Sequence, residues 1–270
     1  MPRSRVASLH MRKYRRPRII KRKIPFYKKK VFWAFFLFFL FFSGNFYLTT
    51  FAPLFQIQKV EVSGSEKLKE SVKSLVQAHL PTNLFSFQTK SIFLFNPDQI
   101  AQFVLENFPQ VEKIEFFKKF PDKLEIKIRE RQTIALFCSQ KCYLIDGNGV
   151  AFEEFFAKDI FEIEEQNKRE ISLGENVIEK EVLDGILKIK KVLEEELQIP
   201  LKKIVLVSDE KINVKTLEGW EIYFNPKRDI DWQLTKLRVL FEKEIPPEKR
   251  KNLEYIELRF GNFAPYKLRQ

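Results

Sequence analysis

The sequence predicts an α+β protein that follows a single transmembrane helix. Residues 31–58 contain no charged side chain and begin with a run rich in phenylalanine. Residues 55–131 then follow the order strand, helix, helix, strand, strand. From residue 133 onward short strand patterns dominate and two helical patterns interrupt them, which predicts a C-terminal mixed β domain with two helices.

The positive charge of the chain is concentrated at its N-terminus. The formal net charge is +12, but residues 1–30 hold 13 Lys and Arg and no acidic residue, and the other 35 basic residues are balanced by 36 acidic ones. Since Lys and Arg beside a membrane span stay in the cytoplasm, residues 1–30 are predicted to be a basic cytoplasmic tail. Clustered cations also attract anionic lipid or nucleic acid. No predicted fold accompanies these charges, so the sequence favours a role in topology alone and no specific nucleic-acid partner.

Residues 31–52 are predicted to form the transmembrane helix. About 20 apolar residues, at about 1.5 Å each, cross a hydrocarbon core of about 30 Å. Trp33 and Tyr47 stand near its two ends, where aromatic side chains favour the membrane interfaces. A cleaved signal peptide is the alternative, but its apolar core is usually only about 7–15 residues long. The sequence therefore favours an uncleaved anchor in the cell (inner) membrane, with the later domains outside the cytoplasm.

The segment after the anchor, residues 55–131, is predicted to be one small domain. Val60 and Val62 alternate with charged neighbours, as in a half-buried strand, and a helical pattern follows them. Residues 96–99 read Asn-Pro-Asp-Gln, which combines a helix cap, a proline at the first helical position and a glutamine three residues after the cap. Residues 111–118 and 124–130 are then predicted to be two strands joined by a short turn. Both helices are expected on one face of this sheet.

Residues 132–262 are predicted to form the β domain, and residues 263–270 a C-terminal tail. Apolar residues recur at helical spacing over 179–197 and 229–243, and short alternating patterns separate these helices. The last predicted strand, residues 255–260, follows a helix and precedes no other strand pattern. It is therefore predicted to be an open edge of the sheet.

Cys138 and Cys142, the only cysteines, flank a predicted hairpin turn. Facing arms of a hairpin bring two cysteines close enough for a cross-strand disulfide, and a location outside the cytoplasm permits one. Two free thiols are the alternative. The sequence leaves both open.

The sequence offers little for catalysis. His79 shares a predicted helix face with apolar residues, so we expect it to be packed rather than catalytic, and the only other histidine, His10, lies in the tail. There is no Gly-rich phosphate loop and no nucleophile elbow. Residues 146–149 start like a calcium-binding loop, but Val150 stands where an oxygen ligand is needed. We expect no catalytic residue, no metal site, no cofactor and no small-molecule substrate.

Six segments follow one another along the chain in an order that is characteristic as a set: QKVEVSG, NLFSF, PQVEKIEFFKKFPDKLEIKIRERQTIA, YLIDGNGVAF, GWEIY and YIELRFG. Together they resemble the FtsQ/DivIB cell-division proteins, whose extracytoplasmic part is a POTRA (polypeptide-transport-associated) domain followed by a β domain. The E-R-x-x-x-A junction of that family stands here at residues 130–135, with Thr133 in place of the usual proline. The loop 88–95 is longer than is usual in the family. The resemblance covers the whole chain.

The resemblance implies a non-enzymatic, single-pass scaffold of the bacterial divisome, enriched at the division septum, which links components of septal cell-wall synthesis. In the family, small bitopic partners of the FtsB and FtsL type dock on the C-terminal part of the β domain, and an open edge can accept a partner strand. A membrane-anchored polypeptide transport or chaperone component with a POTRA domain is the alternative, and a membrane-anchored cell-wall enzyme lacks catalytic groups. Because alternate residues of a strand must face the core, some of the predicted contacts are expected to be packed instead. The predicted partner-binding residues are Tyr255, Ile256, Leu258, Arg259, Phe260, Asn262 and Tyr266.

Overall fold

The computed structural model describes residues 26–80, 82–84, 87–156 and 160–269, so most of the predicted tail lies outside the described residues. The helix α1 (Lys30–Phe51) occupies the predicted span, and its length and composition suit a membrane crossing. Two polar side chains in its second half bond to backbone carbonyls of the same helix. Ser43 donates to the Leu40 carbonyl and Asn45 to the Phe41 carbonyl, each within the helix.

The first domain is a three-stranded sheet, in the order β1-β5-β4, with helices α2 and α3 packed against it. Strand β1 pairs in parallel with β5, and β4 pairs with β5 in antiparallel fashion. Val72 and Val76 of α2 and Val104 of α3 are fully buried with Leu124 and Ile126 of β5. The predicted β-α-α-β-β order is confirmed. The elements are β1 (Lys59–Ser63), α2 (Lys69–His79), α3 (Pro97–Asn107), β4 (Val111–Lys119) and β5 (Lys123–Glu130).

Two local features of the first domain follow from single residues. The Asn96 side chain accepts hydrogen bonds from the Asp98 and Gln99 N–H groups, as the Asn-Pro-Asp-Gln pattern predicts. Gly64 has a φ of +97°, and a Cβ atom there would lie 2.0 Å from the Ile128 carbonyl oxygen. Only glycine fits this close approach of two backbones.

A short antiparallel hairpin, β2 (Thr82–Leu84) and β3 (Phe87–Thr89), is inserted between α2 and α3. The sequence predicts only a loop over residues 88–95. The hairpin is short and carries no alternating pattern, so periodicity could not reveal it.

The second domain is built on a nine-stranded mixed sheet, in the order β14-β13-β12-β11-β10-β9-β6-β7-β8. With the first domain it confirms the α+β prediction. Helices α4 and α5 pack against the sheet in one core cluster around the fully buried Trp220 and Phe224. A π-helical turn, Val192–Glu196, extends α4, and a short helix α6 precedes β13. The elements are β6 (Ala135–Cys138), β7 (Cys142–Ile145), β8 (Ala151–Glu154), β9 (Glu162–Glu165), α4 (Lys180–Lys191), β10 (Leu201–Ser208), β11 (Lys211–Thr216), β12 (Glu221–Phe224), α5 (Ile230–Lys243), α6 (Pro247–Arg250), β13 (Leu253–Glu257) and β14 (Tyr266–Leu268).

The structure corrects the prediction for the last strand. Residues 255–260 do not form a terminal edge strand: β13 ends at Glu257 and lies between β12 and β14. The covering strand β14 falls in residues 263–270, which the sequence predicts as a tail. Three residues after a proline carry too short a pattern to be recognised as a strand. The edge of the sheet is therefore β14 and not β13.

Candidate partner-binding site

The open edge of the nine-stranded sheet is β14. Its flanking residues Pro265 and Arg269 are bonded to the β13 side, through the Pro265 carbonyl (2.8 Å) and the Arg269 N–H (2.7 Å). Successive residues of a strand direct their backbone groups to opposite sides. The N–H and C=O groups of Tyr266 and Leu268 are therefore directed away from β13, where a further strand can bond to them.

The side chains of β14 continue the apolar face of the sheet to its edge. Tyr266 stands opposite Ile256 and Leu268 opposite Leu253, so each pair shares one face. Ile256 and Leu253 are fully buried, whereas Tyr266 and Leu268 are 36% and 40% exposed. The core face thus ends in two half-covered apolar side chains that an added strand would cover.

The predicted contact residues separate into two groups. Ile256 and Leu258 are fully buried in the core, so their side chains cannot contact a partner. The other five keep part of their surface accessible, and a contact through them stays a prediction. These are Tyr255, Arg259, Phe260, Asn262 and Tyr266.

The loop between β13 and β14 is held by a lysine that sequence reasoning missed. Lys236 of α5 is buried, and its ammonium donates to the carbonyls of Leu258 (2.7 Å), Gly261 (3.2 Å), Phe260 and Phe263 (both 3.3 Å). Burial lowers the pKa of Lys236, because desolvation disfavours its charged form. In the sequence it reads as an ordinary polar position of an amphipathic helix, and no signal distinguishes it.

An ion pair and two ring contacts order the surface beside β14. Arg259 makes a bidentate pair with Glu257, at 2.7 and 2.9 Å, and its guanidinium lies over the Phe260 ring at 4.7 Å. This hydrogen bonding to Glu257 raises the pKa of Arg259. The rings of Tyr255 and Tyr223 stack at 5.4 Å, and burial raises the pKa of Tyr223 to about 12. Tyr223 is therefore a neutral hydrogen-bonding group on a rigid surface near pH 7.

A shallow groove lies beside the same loop, on the outer side of α5. It is lined by Trp232, Val239 and Phe263, whose side chains are all exposed, and by Asn262. The groove and the β14 edge share the loop that Lys236 holds.

The two cysteines lie at the other end of the sheet. Cys138 ends β6 and Cys142 begins β7; they are paired in register and joined by a disulfide, with Cα atoms 4.1 Å apart. The bridge closes a hairpin that β9 to β13 separate from β14. The disulfide is therefore remote from the candidate partner-binding edge. Its redox state in the cell stays a prediction.

The junction between the two domains accounts for the E-R-x-x-x-A pattern at residues 130–135 and for the turn at residues 146–149. The Arg131 guanidinium pairs with the Asp146 carboxylate and also donates to the Pro109 carbonyl (2.9 Å) of the first domain. The other Asp146 oxygen accepts from the N–H groups of Asn148 (2.9 Å) and Val150 (3.0 Å). The carboxylate of the turn that begins like a calcium loop is thus occupied by the turn itself and by the interdomain arginine.

His79 lies at the end of α2 and is exposed, so the prediction of a packed side chain is only partly right: it keeps one ring contact and one bond to its own helix. One ring nitrogen lies 2.9 Å from the Leu75 carbonyl oxygen, and the ring is 4.1 Å from that of Phe103. Over the described residues no group of three or more His, Cys, Asp or Glu side chains is placed to hold a metal ion.

Comparison with known proteins gives two family matches. A model described as POTRA domain, FtsQ-type, matches residues 55–131, and one described as cell division protein FtsQ/DivIB, C-terminal, matches residues 136–259. A comparison with individual curated proteins gives no match. Both family matches end before β14.

Proposed function

The chain belongs to the FtsQ/DivIB family of cell-division proteins, and we propose that it acts as a non-enzymatic bitopic scaffold that docks small bitopic partners of the FtsB and FtsL type. The family assigns a scaffold role in division, and α1 suits a membrane anchor. The proposed orientation places the basic residues 1–30 in the cytoplasm and both domains outside the cell (inner) membrane, enriched at the septum.

The observation that supports docking is the open edge at β14. Outward N–H and C=O groups at Tyr266 and Leu268 offer the main-chain bonds of β-augmentation, and the half-covered side chains beside them offer pockets for alternate residues of the incoming strand. The partner is proposed to add one strand beyond β14 and to contact the exposed side chains of Phe260 and Asn262. Docking by strand addition needs no catalytic residue.

A single substitution tests the main-chain part of the proposal. Leu268→Pro removes an N–H that is directed outward and leaves the inward bonds of Pro265 and Arg269 in place. Leu268→Ala is the matched control, because it shortens the same side chain and keeps the N–H. In pull-downs with the full-length chain, we expect Leu268→Pro to lose the small bitopic partners and Leu268→Ala to retain most of them. Equal recovery by the two variants would refute docking through the backbone.

The location of the protein in the cell tests the proposed role at the septum. A fluorescent fusion of the full-length chain is expected to form a band at mid-cell, and the Leu268→Pro fusion is expected to fail to recruit the small partners there. Uniform staining of the envelope by the parent fusion would contradict a role at the septum.

A further inference from the structure

The exit of the membrane helix is fastened to the first domain. The carbonyl of Thr50, in the last turn of α1, accepts from the Thr89 hydroxyl (2.5 Å) and the Gln56 amide (2.9 Å), and the Thr49 carbonyl accepts from the Ser91 hydroxyl (2.6 Å). Carbonyls in the last turn of a helix have no partner within the helix. Here side chains of the folded domain supply the partners, so the domain and the helix end form one unit.

Two further segments lie against this exit. Residues 55–58 bond to residues 90–92 on one side and to Asp122, in the β4–β5 turn, on the other, at 2.9 Å in each case. An isolated bridge joins Gln56 to Ser91. Three separate stretches of the domain therefore meet in one layer where the chain leaves the membrane helix.

This layer carries a group of exposed apolar side chains, which we name the exit collar. Their exposed fractions range from 47% to 65%. Ring contacts connect them to the exit: Phe87 lies 5.9 Å from Phe51, and Phe93 lies 5.3 Å from Phe55 and 5.2 Å from Phe120. Single exposed apolar residues are ordinary, but a contiguous group on one side of a domain marks an interaction surface. The exit collar consists of Leu54, Phe87, Phe93 and Phe120.

The length of α1 sets the level of the exit collar relative to the membrane. The helix has 22 residues, and at about 1.5 Å each it spans roughly 33 Å, against a hydrocarbon core of about 30 Å and a headgroup layer of about 5–8 Å on each side. The helix therefore ends where the outer headgroup layer begins. Since Gln56, Thr89 and Ser91 bond to that end and belong to the layer that carries the exit collar, the collar lies at the same level, where aromatic side chains concentrate.

The charge beside the exit collar suits the same environment. Lys90 and Lys119 are exposed and lie next to Thr89 and Phe120. Lys119 is also 3.8 Å from the Glu125 carboxylate, and both of these side chains are largely exposed. An ammonium at the headgroup level is attracted to lipid phosphate, while the neighbouring rings take up the apolar part of the layer.

We propose that the exit collar is a lipid-docking surface: Leu54, Phe87, Phe93 and Phe120 insert into the outer headgroup layer of the bilayer that α1 spans. The collar fixes the height and tilt of the first domain, and through it the position of the second domain above the membrane. The proposal rests on the anchoring of α1 and does not depend on any division partner.

Spin-label accessibility tests the proposal on the full-length chain in nanodiscs of zwitterionic and anionic phospholipids. In a Cys138→Ser/Cys142→Ser background, one nitroxide is attached at Phe93→Cys or at Phe120→Cys. The matched control is Phe156→Cys, at an exposed phenylalanine of the second domain. We expect the labels at 93 and 120 to collide with oxygen in preference to a water-soluble nickel chelate, and the label at 156 to show the reverse.

Equal nickel accessibility at 93, 120 and 156 would overturn the proposal. So would protection that develops only after the small bitopic partners are added, because the surface would then belong to a protein. A label at Leu40→Cys, in the middle of α1, separates failure of the anchor from failure of the collar: an accessible Leu40 site removes the basis of both.

A second variant covers the case in which a cysteine substitution disturbs folding. Phe93→Trp keeps an aromatic ring, and its fluorescence in nanodiscs of brominated lipid is expected to be quenched beyond that of the parent chain, whose tryptophans are Trp33, Trp220 and Trp232. Quenching equal to that of the parent would contradict insertion of the collar.

Discussion

Both edges of the nine-stranded sheet have backbone groups that are directed away from the sheet, but another segment of the described chain covers only the β8 edge. At the β8 edge the Ala151 N–H donates to the Glu175 carbonyl (2.9 Å), and the Ala151 carbonyl accepts from the Gly174 N–H (2.7 Å). A bridge between Val150 and Asn176 extends this cover. At the β14 edge the outward groups of residues 266 and 268 face no such segment within the described residues.

Side chains reinforce this difference. The part of β8 beyond the cover carries Glu153 and Glu154, which pair with Lys67 (3.8 Å) and Lys141 (3.0 Å). Charged residues on an edge oppose the addition of another strand. Strand β14 carries one charged residue, Lys267, which pairs with Glu254 (2.8 Å), and it stands between the apolar side chains of Tyr266 and Leu268. The β8 edge is therefore covered and carries two adjacent acidic residues, whereas the β14 edge is uncovered within the described residues and carries a single paired lysine.

Removing β14 is expected to give the largest effect. Deleting residues 263–270 uncovers Leu253 and Ile256 and turns β13 into the edge. We expect capture of the small bitopic partners to be lost and the free energy of unfolding to fall by about 3 kcal/mol, from lost apolar burial. Pull-down and urea denaturation of the full-length chain measure the two. Unchanged partner recovery would show that the β14 edge is not the docking element.

Releasing the loop that leads to β14 is expected to have the next largest effect. Lys236→Met leaves four carbonyls of that loop without their donor, which costs about 1–3 kcal/mol of unfolding free energy. Lys243→Met, at an exposed position of the same helix, is the control and is expected to change little. Denaturation and pull-down should both separate the two variants. Equal behaviour of the two would mean that Lys236 does not order the loop.

Removing the charges from the β8 edge tests whether they help to keep it from pairing with another strand. Glu153→Val together with Glu154→Val removes the charges of β8 and favours the strand conformation. We expect self-association at micromolar concentration in analytical ultracentrifugation, with a change in unfolding free energy within about 0.5 kcal/mol. Glu210→Val, in the exposed β10–β11 turn, is the matched control. A double variant as monomeric as that control would show that cover alone closes this edge.

The smallest expected effect is a pH dependence of the cover on β8. Hydrogen bonding to Arg169 lowers the pKa of Glu175 below its usual 4.5, and the Ser172 N–H adds to this. A carboxylate with a lowered folded-state pKa stabilises the fold above its unfolded pKa, and this contribution is lost as the pH falls through the folded value. Hydrogen exchange at the Ala151 amide, corrected for intrinsic rates, should therefore speed up below pH 4.5. Glu175→Gln should remove that dependence; an identical dependence in the variant would assign it to another group.

The sequence predicts most of the helices and strands of both domains, because the patterns that reveal them lie within each element. The cap at Asn96 and the alternation of Leu124 and Ile126 need no distant partner to be recognised. The anchor is equally clear, because a charge-free apolar stretch long enough to cross a bilayer is typical of a membrane span.

The parts that sequence reasoning missed depend on distant contacts. Strand β14 is three residues long and is a strand only because β13 lies beside it. Lys236 is distinguished by carbonyls some 22 to 27 residues away along the chain. The resemblance could point to the C-terminal region, but only the register of β13 and β14 shows which backbone groups face outward.

Residue-resolved hydrogen exchange on the full-length chain, with and without the small bitopic partners, tests docking at the β14 edge most directly. We predict that partner binding slows exchange of the Tyr266 and Leu268 amides and leaves the Ala151 amide unchanged. Unaltered exchange at residues 266 and 268 in the bound state, or new protection confined to β8, would contradict docking at β14.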